Sequence, residues 1–182
     1  MSYFEENYRI ESCRLRNRDY SAPGFYFVTI CTKDRTCSLG EVTDAVIHRS
    51  RVGDIVAEEL QKTGIIRSNV ELDEWVVMPN HVHAIIRLLS AFREVKQCSG
   101  ASREGQGAFG LKPRYLSSIV GQIKSVCTKR IRAIGVIDFA WQERFFDHII
   151  RDEDSLISKR QYIRDNPLRW EFEKDSPENI EM

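Results

Sequence analysis

The sequence predicts an α+β fold: a ferredoxin-like β-α-β-β-α-β antiparallel sheet with helices on one face, plus a further C-terminal helix. Three observations carry this reading. Runs rich in β-branched and aromatic residues recur along the chain, two stretches between them place apolar residues at helical spacing, and another helical stretch follows the last strand.

Taken in order, "GFYFVTICT" (24–32) follows the breaker "SAPG" and reads as the first strand. A connecting stretch leads to "SRVGDIVAEELQKTG" (50–64), where Val52, Ile55, Val56 and Leu60 share one helical face, Ser50 caps the start and Gly64 ends the helix. "VELDEWVVM" and "HVHAIIRLL" form a hairpin about the Pro79-Asn80 turn. From Phe92 to Pro113 periodicity is lost, and "CSGASREGQGAFG" has the composition of a mobile loop. Ile119, Val120, Ile123, Val126, Cys127, Ile131 and Ile134 then make the apolar stripe of a second helix. "WQERFFDHII" reads as a strand or extended piece, and "DEDSLISKRQYIRDNP" (152–167) as a helix with acids in its first turn and a proline stop.

With 182 residues, 42% of them hydrophobic, the chain can bury one good core, so a single domain over 1–182 is expected, with its core at about 14–170 and an acidic tail at 171–182. The apolar runs fall short of a membrane span and "MSYFEENYRI" lacks the apolar centre of a secretion signal, so no membrane partner and a cytoplasmic location are expected. Cys13, Cys31, Cys37, Cys98 and Cys127 show no Cys-x-x-Cys spacing and read as free thiols. The formal net charge is zero, but its distribution is uneven. Residues 111–135 carry Lys112, Arg114, Lys124, Lys129, Arg130 and Arg132 without an acid, whereas "EFEKDSPENIEM" is strongly acidic. The basic run is either the solvated face of a helix or a surface for phosphates.

"WVVMPNHVHAIIRL" places His81 and His83 on the same side of a strand, because side chains alternate between faces. Such a pair is either hydrogen-bonded within the sheet or half of a metal site. On the last helix Tyr162 and Asn166 lie four residues apart and so share a side, with Leu156 and Ile163 free to face the core. Tyr162 is either a half-buried aromatic or a reactive group; Asn166 is either a cap before Pro167 or a ligand.

In combination, "MPNHVH" on a strand, "WQERFFDHIIRDEDSL" leading into a helix and "YIRDNPLRW" after it resemble the REP-associated tyrosine transposases, relatives of the single-strand transposases of small insertion sequences. "RLRNRDYSAPGFYFVTICTKDR" and "VGQIKSVCTKRI" extend the resemblance over roughly Arg14 to Trp170. The resemblance implies a His-hydrophobic-His nuclease with one catalytic tyrosine: Tyr162 the nucleophile, His81 and His83 metal ligands, and Asn166 the third protein ligand. Related single-strand transposases often carry glutamine at the position of Asn166. The ion implied is Mg2+ or Mn2+; manganese suits imidazole better, and magnesium would bind such a site weakly without DNA.

The resemblance further implies a single-stranded or hairpin DNA partner; beside a phosphodiester-cleaving site, Arg14, Arg16 and Arg18 at the amino end and Lys112, Arg114, Lys124, Lys129, Arg130 and Arg132 then read as its phosphate contacts rather than as solubility. The expected reaction is cleavage and strand transfer near hairpin-forming repeats through a 5′-phosphotyrosine. The alternatives are a regulatory DNA hairpin-binding protein without catalysis and a nickase of the replication-initiator or relaxase type. His148 either assists Tyr162 or hydrogen-bonds within the sheet. Monomer and dimer both remain open.

Overall fold

The computed structural model describes residues 22–89 and 115–174. Arg14, Arg16, Arg18, Lys112, Arg114, the predicted loop at 92–113 and the chain after Lys174 lie outside the described residues. The strands are β1 (Gly24–Cys31), β2 (Gly40–Thr43), β3 (Val46–Arg49), β4 (Val70–Val77), β5 (His81–Leu88) and β6 (Phe146–Ile150). The helices are α1 (Arg51–Ile66), α2 (Leu116–Ala133) and α3 (Glu153–Lys174).

Four strands form one sheet in the order β4-β5-β1-β6, with every neighbouring pair antiparallel. The expected α+β architecture is therefore present, with β1 and β5 central. Alternation along those two strands divides the core. Tyr26, Val28 and Ile30 of β1 and Val82, Ala84 and Ile86 of β5 pack with Val56 and Leu60 of α1 and Ile119, Ile123 and Cys127 of α2. Phe27 and Ile85 point the other way and meet Leu156 and Ile163 of α3. α1 and α2 thus cover one face and α3 lies on the other.

Several boundaries differ from those the sequence predicts. The stretch between β1 and α1 contains a separate hairpin, β2 paired antiparallel with β3, turning at Asp44 and Ala45, both with positive φ. That turn conformation suits a tight hairpin, yet neither residue is the glycine that usually signals it. α1 runs past Gly64 to Ile66, because Arg67 N–H reaches the Thr63 carbonyl and closes the last turn. Ser50 does cap its start, accepting from Gly53 N–H. Of "WQERFFDHII", strand pairing begins only at Phe146; Trp141 makes an isolated bridge with Thr32.

Pro167 does not stop α3, which continues to Lys174 and so takes in the first residues of the predicted tail. The turns beyond the proline are held from outside the helix. Trp170 packs against the α3-side core, and Glu171 accepts hydrogen bonds from the backbone N–H of Asp44 at 2.9 Å and of Ala45 at 2.6 Å. Among the described residues no helix is long and apolar enough to cross a membrane.

Two helical glycines should respond oppositely to alanine. A Cβ on Gly53 would stand 2.0 Å from the Leu39 carbonyl oxygen, which is backbone and accepts from Ser50 N–H. A Cβ on Gly121 would meet nothing within 4 Å among the described residues. Gly121→Ala is expected to raise unfolding free energy by roughly 0.5–1 kcal/mol, and Gly53→Ala to lower it despite the same gain in helix propensity. Urea denaturation of both variants checks the pair; stabilisation by Gly53→Ala would contradict the close approach.

Candidate active site

The register between β1 and β5 builds the first half of the site. Thr29 stands opposite His83, and Cys31 opposite His81. The Thr29 hydroxyl lies 2.8 Å from His83 Nδ1, so one cross-strand pair fixes that ring. His81 Nδ1 lies 2.7 Å from the side-chain oxygen of Asn80 in the preceding turn. The imidazoles meet edge to face with centroids 4.5 Å apart.

α3 supplies the second half. The apolar pattern of β4 slips phase, Val70 and Leu72 facing α1 and α2 and Trp75 and Val77 doing so again, with a bulge between Leu72 and Trp75. Asp73 and Glu74 occupy the bulge, where one extra residue turns both side chains to the α3 side. Arg160 takes both carboxylate oxygens of Asp73, at 2.8 and 2.7 Å, and Arg164 pairs with Glu74. The Arg160 hydrogen bonds hold the Asp73 carboxyl below its ordinary range.

This docking brings the predicted residues together. The Tyr162 ring lies 5.3 Å from His83 and 5.9 Å from Phe27, edge on. Asn166, 6% exposed, lies inside α3, which runs on to Lys174, so it is not a helix cap, and its side chain is turned to His81. Trp170, one turn on, lies 5.8 Å from His81. The cations of Lys159 and Arg169 stand 5.8 and 5.2 Å from the Tyr162 ring centroid, a positive rim suited to a phosphate. Sequence reasoning missed Thr29, Asn80, Lys159, Arg169 and Trp170. Thr29 had a signal, as a hydroxyl in the apolar run of β1, and Lys159 and Arg169 had their helical spacing from Tyr162.

Burial governs the charge of the pair. It lowers the pKa of His81 to about 4, opposed by the Asn166 hydrogen bond, and that of His83 to about 3, helped by the neighbouring His81. Both rings are therefore neutral near pH 7 and can offer a lone pair. Among the described residues no three His, Cys, Asp or Glu side chains gather as a metal site. A site here must use the Asn166 carboxamide beside the two imidazoles, and its buried position against His81 fits that set.

His148 is exposed on β6, opposite Phe27 in the sheet, which places β1 between it and the histidine pair. The basic residues of α2 lie on the opposite face of the sheet from His83. Arg130 is taken up by Glu58 and Glu59 of α1, at 2.7 and 2.5 Å. Lys124 donates to the carbonyls of Gln142 and Glu143, and Arg132 to that of Phe139. Lys124, Lys129 and Arg132 nonetheless line one cleft of about 650 Å³ with Thr128, Trp141 and Gln142. The Trp141 indole N–H is buried there with no hydrogen-bond partner among the described residues.

No protein-family model matches the chain. It is 32% identical over 160 residues to an uncharacterized protein of Haemophilus influenzae, covering 88% of this chain and 89% of that one. It is 26% identical over 171 residues to a protein of the same organism provisionally assigned as a REP-associated tyrosine transposase, covering 88% and 81%. Its fold is similar to that of a REP-associated tyrosine transposase solved bound to a REP hairpin, with a TM-score of 0.56, 23% identity and coverage of 86% of this chain and 74% of that one.

The neutral histidines imply a pH dependence with a definite sign. The unfolded chain protonates both rings near their ordinary value, whereas the folded chain resists until about 4 and 3. Unfolding therefore takes up protons in that window, and each ring is expected to remove about 1.4 kcal/mol of stability per pH unit as pH falls from 6.5 towards 4. The slope fades as pH rises through 6.5 and is absent well above it. Urea unfolding of the wild type and of His83→Gln between pH 4 and 8 measures it; equal slopes in the two proteins would show that His83 is not held neutral.

Proposed function

We propose that this chain is a REP-associated tyrosine transposase that cuts and rejoins single-stranded DNA beside a hairpin, with Tyr162 as nucleophile. The observation that carries the reading is the meeting of Tyr162, His81, His83 and Asn166 on one face of the sheet, contributed by β5 and α3. A transposase-like function follows from the family, and the side chains gathered at the site support a tyrosine-based mechanism for it.

Tyr162 Oη attacks the scissile phosphorus and the bond from phosphorus to O3′ breaks. The phenolic proton passes to solvent and the departing oxygen takes one up, leaving a 3′-hydroxyl and a 5′-phosphotyrosine. The ester keeps the phosphate activated, so the 3′-hydroxyl of another strand can displace Tyr162 and rejoin the DNA. Lys159 and Arg169, beside the Tyr162 ring, draw the phosphodiester against the nucleophile and oppose its charge. His81, His83 and Asn166 would hold a divalent ion, Mg2+ or Mn2+. Such an ion neutralises phosphate oxygens and stabilises the leaving oxygen. A donor set without protein charge binds a hard ion weakly alone and leaves positions for the substrate's own oxygens.

The hairpin in the related solved complex belongs to that protein. For this chain the basic cleft on α2 is the surface offered to a DNA hairpin, with Lys129 and Arg132 its exposed cations. A duplex held there and a single strand reaching Tyr162 would occupy opposite faces of the sheet, and the end where Thr32 meets Asn80 and Trp141 joins the cleft to the strand that carries the histidines. Lys33 and Arg35 project beside that end.

A labelled single-stranded hairpin incubated with Mg2+ and run on a denaturing gel tests the chemistry. The wild type is expected to carry label, and Tyr162→Phe to carry none while binding the hairpin with near-normal affinity, since it loses a hydroxyl but keeps the ring. Label on the phenylalanine variant would assign the nucleophile elsewhere.

The cleft has its own test. Replacing Lys129 and Arg132 with glutamine should weaken hairpin binding and reduce the slope of log K against log salt by roughly one to two, one for each phosphate that is no longer neutralised. An unchanged slope in filter-binding titrations would remove the cleft from the DNA path.

A further inference from the structure

We infer that Thr29 and Asn80 are positioning residues that set the tautomers of His83 and His81, so that both rings present Nε2, unprotonated, to an ion. The inference rests on the metal-site reading of the histidine pair and assigns the residues that prepare it.

In a neutral imidazole one ring nitrogen carries a proton and the other a lone pair, and the partner of one nitrogen decides which is which. His81 Nδ1 faces the side-chain oxygen of Asn80 at 2.7 Å. A carboxamide oxygen only accepts, so His81 Nδ1 must donate and Nε2 is left with the lone pair. His83 Nδ1 faces the Thr29 hydroxyl at 2.8 Å. A hydroxyl can donate as well as accept; in the accepting role it takes Nδ1–H, and this ring too is left with its lone pair on Nε2. Each histidine thus has an oxygen on the same ring nitrogen, and the two oxygens come from different places: one from the turn before β5, the other from the strand beside it.

Burial makes this arrangement consequential. His83 is 6% exposed, so water does not substitute freely for a missing partner. Phe27 stacks on His83 with centroids 5.2 Å apart and limits how the ring can tilt. Thr29 stands opposite His83 because of the sheet register, and its hydroxyl is carried by a β-branched side chain with few rotamers. Asn80 is tied less rigidly by its own side chain, but its carbonyl accepts from both the Thr32 backbone N–H and the Thr32 hydroxyl, at 2.9 Å each. The turn is therefore fixed to the end of β1, the same strand that carries Thr29. β1 serves as the ruler for both histidines.

Two readouts test this, one of them without any metal. Long-range 1H–15N NMR of the histidine side chains in the metal-free protein at about pH 7.5, well above both folded-state pKa values, should show both rings as Nδ1–H tautomers. Thr29→Val keeps the shape and removes the hydroxyl; it should shift His83 alone towards the other tautomer, and Asn80→Ala should do so for His81 alone. Thr29→Ser restores the hydroxyl and should restore the wild-type spectrum. Mn2+ binding followed by electron paramagnetic resonance should weaken roughly 10–100-fold in Thr29→Val and return in Thr29→Ser. An Nε2–H tautomer for either ring in the wild type, or tautomers unchanged by the variants, overturns the inference. Should His83→Ala bind Mn2+ as the wild type does, the metal reading of the site falls, while the metal-free spectra still decide whether Thr29 and Asn80 set the rings.

Discussion

The site depends on α3 lying across the sheet at one fixed position. His81 and His83 belong to a strand and Tyr162 and Asn166 to a helix that follows them by a long stretch of chain. A slip of α3 by one turn would move Tyr162 by about 5 Å along the helix axis and out of reach of His83. The apolar contacts of Leu156 and Ile163 provide adhesion but little register, because dispersion and burial have no preferred direction. Direction comes from the ion pairs. The two-pronged contact of Arg160 with Asp73 fixes both the position and the rotation of the helix, and Arg164 with Glu74 repeats the constraint one turn later. Both acids reach α3 because β4 is bulged there; in a regular strand one would point to each face.

The small hairpin acts at the other end of the same helix. Its turn presents two adjacent backbone N–H groups, and Glu171 occupies them with both carboxylate oxygens. Positive φ at Asp44 and Ala45 is unfavourable for residues with a side chain, so the hydrogen bonds to Glu171 are part of what sustains the turn. The interaction is reciprocal. It also explains why α3 survives Pro167, whose missing N–H and ring weaken the helix at the carbonyl of Ile163. Asn166, Trp170 and Glu171, on either side of the proline, each have a partner in another element.

These features separate what a sequence displays from what it conceals. The sheet strands, the helices and the Ser50 cap are legible because hydrophobic period and capping chemistry are local. The gathering of His81, His83, Tyr162 and Asn166 follows from their shared faces and from family resemblance, and the geometry brings them together. The hairpin at 40–49 is not legible, since "TDAV" lacks a glycine turn and its partner, Glu171, is far along the chain. The end of α3 is misplaced by the sequence pattern because a proline stop is a local rule and the contacts that override it are tertiary. The bulge in β4 does leave a trace: the apolar alternation Val70, Leu72 resumes at Trp75, Val77 with one residue too many. The charged stripe on α2 is only half readable, because a helical projection cannot tell that Arg130 meets Glu58 and Glu59.

Two imidazoles on a strand where valine and isoleucine would pack well have a physical explanation in these arrangements. Burying a histidine beside a second one costs stability whenever either is charged, and the site keeps both neutral by desolvation. A neutral, buried pair with each Nδ1 facing an oxygen atom is a poor way to stabilise a sheet and a good way to hold lone pairs in a fixed direction. The rest of the face supplies what lone pairs lack. Lys159 and Arg169 bring positive charge without adding it to the ligands themselves, and Tyr162 brings a hydroxyl whose ring is clasped between Phe27, His83 and those cations. Under the proposed function, metal affinity, phosphate attraction and nucleophile fall to different side chains, so each could be altered without dismantling the others.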